Sequence, residues 1–67
     1  MRIDRVKFIS ELARRDIKAK DIAENAGVSR ATVSAIRGGK TIAPDTAQKI
    51  AAALNVPVET LVEGAGA

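Results

Sequence analysis

A chain of 67 residues with 11 Lys and Arg against 8 Asp and Glu has room for one small domain carrying a net charge of +3. It contains no Cys and no His, which excludes disulfide staples, thiol nucleophiles, the usual catalytic triads and ordinary zinc sites. No apolar run approaches the roughly 18 residues of a membrane span. The opening residues MRIDRVKF also lack the apolar centre of a signal peptide, so a cytoplasmic protein is expected. The charge is uneven: residues 1–40 hold 10 basic and 5 acidic side chains, residues 41–67 hold 1 and 3. A basic half of this kind suits a polyanionic partner, although a lopsided soluble surface would look the same.

The first helix is expected over about residues 4–15, capped by Asp4. Ile3, Phe8, Ile9, Leu12 and Ala13 give it a broad apolar face, with Val6 at the edge. Phe8 is the only aromatic residue and reads as a core anchor, because stacking on unpaired bases uses several aromatics. Arg14, Arg15 and Lys18 gather where cations complement the helix dipole. A turn at Asp16, Ile17 and Lys18 then starts a second helix over about 19–26, with Ile22, Ala23 and Ala26 on one face. Gly27 is placed for a left-handed conformation and Val28 for a plug behind it. Ser29 caps a third helix over about 30–37, which turns Val33 and Ile36 inward. Gly38 and Gly39 stop that helix, and Pro44 keeps Ala43 extended.

Asp45 is the expected cap of a fourth helix over about 46–54. Its Ala47, Ile50, Ala51 and Leu54 fall at i, i+3, i+4 and i+7, the clearest core stripe in the chain. Asn55 ends it, and Pro57 opens a last helix over about 58–63 with Val58, Leu61 and Val62 on its apolar face. Closure of the core is the first reading of that face; exposure with Val56 or Val6 as a dimer contact is the second. The organisation is then a domain over residues 1–63 and a flexible GAGA tail at 64–67.

The stretch AKDIAENAGVSRATVSAIRG reads as two short helices at a steep angle joined by a glycine turn, a helix-turn-helix. Ile22, Ala23, Ala26, Gly27, Val28, Val33 and Ile36 match that template position by position, and the stretch resembles the phage repressor/Cro (Xre-type) family. GGKTIAPDTAQKIAAALNV is similar to that family's loop and fourth helix, and PVETLVEG to its fifth, so the likeness runs from about Phe8 to Glu63. GVSRATVS alone also looks like the start of LacI-type repressors. Those place the motif in their first helices, whereas here a full helix precedes it. The resemblance implies an all-α, five-helix lambda-repressor-like domain that binds double-stranded DNA with its third helix in the major groove. It further implies a transcriptional regulator, a repressor in the first instance, acting as a homodimer on an inverted-repeat operator.

Carried onto this chain, the resemblance gives base-reading positions to Arg30, Ala31 and Ala35, with Ser34 outward beside them. Arg30 can donate two hydrogen bonds to guanine O6 and N7, or it can contact a phosphate. Ala31 and Ala35 offer methyl groups suited to thymine, though helix propensity explains two alanines equally well. Phosphate contacts are expected at Lys18, the Ala19 N–H, Thr32, Arg37, Lys40, and the N–H groups of Gly39 and Thr41. Two departures stand out. Ala19 replaces a Gln that the family often uses on DNA. Leu12 and Arg37 stand where the family frequently pairs an Arg of the first helix with a Glu at the end of the third. Arg37 is left to reach solvent, Glu11 or a phosphate.

An enzyme is not expected: no P-loop or GxGxxG occurs, and the carboxylate pairs Asp21/Glu24 and Glu59/Glu63 are ordinary for solvated helix faces. No cofactor, metal, membrane or small-molecule partner is called for. The competing class is a protein-interaction module of the same fold, an antitoxin or adaptor whose main partner is another protein.

Overall fold

The structure, a computed structural model, describes residues 1–62; Glu63 and the tail at 64–67 lie outside the described residues. Four helices follow one another as α1 (Arg5–Arg15), α2 (Ala19–Ala26), α3 (Arg30–Arg37) and α4 (Pro44–Leu54), and a single 3-10 turn spans Val58–Thr60. The expected fifth helix is thus one turn long. After it Leu61 drops into the core and Val62 pairs with Ile3 in an isolated antiparallel bridge, so the backbone must straighten where a helix would continue.

Local chemistry accounts for the helix boundaries. The Asp4 carboxylate accepts from the Val6 and Lys7 N–H groups and so caps α1. Three of the four helices end on a left-handed residue: Asp16 at φ 54°, Gly27 at φ 71° and Asn55 at φ 58°. Gly adopts this conformation freely, and Asp and Asn tolerate it because their short polar side chains bond locally. The Asp16 stop belongs to α1 rather than to the start of α2. The fourth helix also begins earlier than expected. Pro44 occupies its first position and Ala43 its cap, leaving Asp45 in the first turn, 3.5 Å from Lys49. Pro lacks the N–H that a first helical residue would leave unbonded, so it settles there in preference to a capped start one residue later.

The core is apolar throughout: Ile3, Phe8, Leu12, Ile22, Ala23, Val33, Ile36, Ala47, Ile50, Ala51, Leu54 and Leu61, with no buried polar or charged side chain among the described residues. α2 packs on both α3 and α4, and the small side chains Ala23, Ala47 and Ala51 are buried in the core. The broad apolar face expected for α1 is narrower in the structure. Phe8 and Leu12 are buried, whereas Ile9 is 45% exposed, Val6 67% exposed, and Ala13 faces solvent. Only one side of α1 has neighbours, so only the i, i+4 stripe is covered.

The extended residues before α1 form a strap that local periodicity does not announce. Arg2 bridges Thr41, Ile3 bridges Val62, and the Asp4 N–H donates to the Leu61 carbonyl at 2.7 Å. The strap therefore joins the loop after α3 to the C-terminal turn.

Two glycine substitutions separate strain from space. Gly27→Ala meets no atom within 4 Å but keeps a positive φ, so it should lower stability by about 1 kcal/mol. Gly38→Ala enters an ordinary right-handed residue, with Ser34 O at 3.4 Å from the new Cβ. It should leave stability unchanged or raise it by up to about 1 kcal/mol. Urea denaturation midpoints of the two variants check the contrast.

Candidate nucleic-acid interface

α3 is only eight residues long, and its placement depends on both of its ends. At the start Ser29 is extended and its hydroxyl accepts from the Thr32 N–H at 3.1 Å. Behind it the Val28 N–H donates to the Ala23 carbonyl at 3.0 Å, and Val28 packs against the core. Val33 and Ile36, each 1% exposed, fix the rotation of the helix. The residues left outward are then determined by the helical period. Arg30, Ala31, Ser34 and Arg37 are exposed, and Thr32 and Ala35 are half-buried.

The structure brings several sequence-designated positions together. Ala31, Thr32 and Ala35 form one wall of an open groove of about 360 Å³ whose other wall includes Thr41 and Ile42. The outward face of α3 and the loop after it thus share one surface. A larger hollow, about 420 Å³, runs along α1 beside Val6, Ser10 and Thr60 and contains no residue of α3 or its loop. The side chains of Arg30, Arg37, Lys18 and Lys40 are exposed and form no hydrogen bond or ion pair with a described residue. No acidic residue occurs between Val28 and Ile42, so Arg30, Arg37 and Lys40 face no internal competitor along that stretch.

The backbone donors divide. The Gly39 N–H, expected on a phosphate, already donates to the Ile36 carbonyl at 3.0 Å, closing the end of α3. Gly39 contributes its φ of 78° to the loop rather than a free donor. The Lys40 N–H is likewise held by the Ala35 carbonyl at 2.9 Å. By contrast, the Thr41 N–H has no partner among the described residues. Lys18 caps α2 without a side-chain hydrogen bond, which leaves the Ala19 N–H open at a helix N-terminus. The Thr32 hydroxyl, 2.9 Å from the Ser29 hydroxyl, is shared with the cap.

The fate of Arg37 is also decided. Leu12 is buried, and Glu11 is occupied by Arg14 at 3.2 Å and by Arg15. Arg37 therefore points to solvent. One contributor escaped sequence reasoning: Arg2, whose Nε donates to the Gly39 carbonyl at 3.0 Å. The only sequence signal was a basic residue before α1, and its target lies far along the chain.

Against this geometry the comparisons are specific. The sequence model of the Cro/C1-type helix-turn-helix DNA-binding domain matches residues 7–64. The chain belongs to that family. It is also 43% identical over 61 residues to an uncharacterised HTH-type transcriptional regulator, RghRB, of Bacillus subtilis (strain 168), covering 87% of this chain and 44% of the relative. The chain thus spans less than half the length of that curated relative. Among solved structures, the whole chain superposes on part of a hydroxyethylphosphonate dioxygenase Y98F mutant with a TM-score of 0.85 and 28% identity. A cadmium-containing PhpD complexed with hydroxyethylphosphonate gives 0.83 and 27%. In both, the match covers 15% of the other chain, so a small portion of each shares the Cro/C1-type shape. Among the described residues, no helix is long and apolar enough to cross a membrane.

The cap of α3 yields a direct prediction. Ser29→Ala should lower stability by about 1 kcal/mol, while Ser29→Asp, which caps equally well, should hold it within a few tenths. Thermal melts of the three proteins under one buffer condition measure both.

Proposed function

We propose that this Cro/C1-type domain is the DNA-binding part of a transcriptional regulator that reads double-stranded DNA with α3 in the major groove. The observation that carries the reading is the outward row Arg30, Ala31 and Ser34 on a helix-turn-helix whose flanking cations have no internal partner. A major groove admits an α-helix, and in this motif the first residues of the second helix reach base edges. Arg30 has the donor fork for guanine, and the Ala31 and Ala35 methyls suit the thymine C5-methyl. Lys18, the open Ala19 N–H, Arg37, Lys40 and the open Thr41 N–H form a discontinuous set of phosphate donors around it. Thr32 belongs to the set through its hydroxyl, shared with Ser29. The domain spans residues 1–63, and the mechanism is steric: a homodimer occupying an inverted-repeat operator represses by excluding other proteins from the promoter.

Selection from random double-stranded DNA at physiological salt tests this reading. Enrichment of a symmetric site with half-site centres about 10 bp apart is the expected outcome. Weak binding that ignores sequence and falls steeply with salt would sink it, and would favour a protein partner instead. On the selected site, Arg30→Ala should lower affinity by about 1–3 kcal/mol and relax preference at a single base pair. A uniform loss with a shallower salt dependence would move Arg30 to the phosphate set.

A further inference from the structure

The loop Gly38–Thr41 presents Lys40 and the open Thr41 N–H, and its glycine turn has open space around it. A Cβ built at Gly39 would find no atom within 4 Å, and an open space of about 330 Å³ separates Gly38 and Gly39 from Asp4 and Arg5. A turn of two glycines has no side chain to pack, so hydrogen bonds keep its shape and it opens more easily when one is removed. From the α3 side, the Gly38, Gly39 and Lys40 N–H groups donate to the Ser34, Ile36 and Ala35 carbonyls. From the other side, the strap holds the outgoing segment: the Ile42 N–H donates to the Met1 carbonyl at 2.8 Å, and Met1 N donates to the Ile42 carbonyl at 3.0 Å. Between these two grips sits Arg2, whose Nε donates to the Gly39 carbonyl at 3.0 Å, at the residue with φ 78°.

The strap is itself anchored. Ile3 is 1% exposed in the core, and the next residue, Asp4, bonds Leu61 through its N–H and caps α1 through its carboxylate. A continuous path therefore runs from the core through Ile3 to Arg2 and on to the loop beyond α3. On this basis we infer that Arg2 is a positioning residue for DNA binding. Its Nε–H fixes the Gly39 carbonyl, and thereby the turn that aims Lys40 and the Thr41 N–H at a phosphate. The inference rests on the DNA-binding reading above. It assigns Arg2 the work of a neutral hydrogen-bond donor at the ε position, independent of its charge.

Glutamine separates donor from charge, because its side-chain amide nitrogen also stands at the ε position, while alanine removes both. The experiment compares wild type, Arg2→Gln and Arg2→Ala on a labelled random-sequence duplex over a series of salt concentrations, with amide hydrogen exchange read at Lys40 and Ile42. Arg2→Ala should weaken binding by about three- to tenfold, the range one hydrogen bond supplies. Exchange at Lys40 and Ile42 should rise by a similar factor. Arg2→Gln should stay within about twofold of wild type in both readouts, since it keeps the donor. The inference is overturned if Arg2→Ala matches wild type in binding, whatever the exchange shows. It is equally overturned if Arg2→Gln is as weak as Arg2→Ala with a salt slope smaller by about 0.9, the signature of a lost phosphate contact. A wild-type protein that binds no duplex at all sinks the DNA-binding reading itself, and the positioning role with it.

Discussion

An eight-residue helix has no stability of its own in water, because its nucleation is not repaid over so few hydrogen bonds. α3 is such a helix, and it is held by two buried side chains, Val33 and Ile36, packed against α2 and α1. Everything the interface offers depends on that seating. With two inward positions at i and i+3, the period leaves the remaining face free, and the sequence fills it with Arg30, Arg37 and small side chains. The caps do the rest: Ser29 holds the first turn, and the Gly38–Gly39 turn closes the last carbonyls. Gly27 and Val28 set the direction from which the chain enters, and α2 packs against both α3 and α4.

Charge follows the same economy. Glu11 is mostly buried at 12% side-chain exposure and carries two arginines, Arg14 and Arg15, which neutralise it within one helix. That local network leaves no carboxylate for Arg37. The family's frequent ion pair between the first and third helices would have needed two desolvated charges in the position that Leu12 fills. Replacing such a pair by apolar packing is often neutral or favourable, since neither ion pays desolvation. Here the replacement has a second effect: the cation at the end of α3 is released to the surface beside the loop that carries Lys40. Core packing and surface charge are thus coupled through one pair of positions.

The four helices and most of the core were legible because their information is local. Ala47, Ile50, Ala51 and Leu54 announce α4 by spacing alone, and Gly27 and Ser29 mark the ends of the helices they join. Ile9 was misread for a reason spacing cannot supply. A helix pattern gives the apolar residues but not how many sides of the helix have neighbours, and α1 has them on one. Asp45 was misread because two start signals compete at Pro44-Asp45, and the ring's fixed φ prevails over the better capping side chain. The strap and the shortened last helix were illegible in principle. Arg2 with Thr41 and Ile3 with Val62 are pairings between distant residues, and no periodicity in either partner encodes the other. At the interface, residue types and outward direction could be read, but which backbone donors remain open could not. That Thr41 keeps its N–H while Gly39 has used its own is a matter of turn geometry.

The shape itself is shared with a portion of a hydroxyethylphosphonate dioxygenase, where it covers 15% of the whole. A fold that recurs in such different settings specifies a scaffold, and the site grafted on it specifies the work. The inward residues of α2, α3 and α4 would serve any of these settings equally well. What distinguishes a nucleic-acid surface is the outward chemistry: cations without internal partners, two methyl-bearing positions in one groove, and open N–H groups on either side of α3. An interface built for a protein partner would instead place aromatic or large apolar side chains at its centre. None stands on the outward face of α3; the exposed large apolar residues, Met1, Val6 and Ile9, all belong to the strap and α1. The composition of that face, more than the fold, is what the DNA-binding proposal rests on.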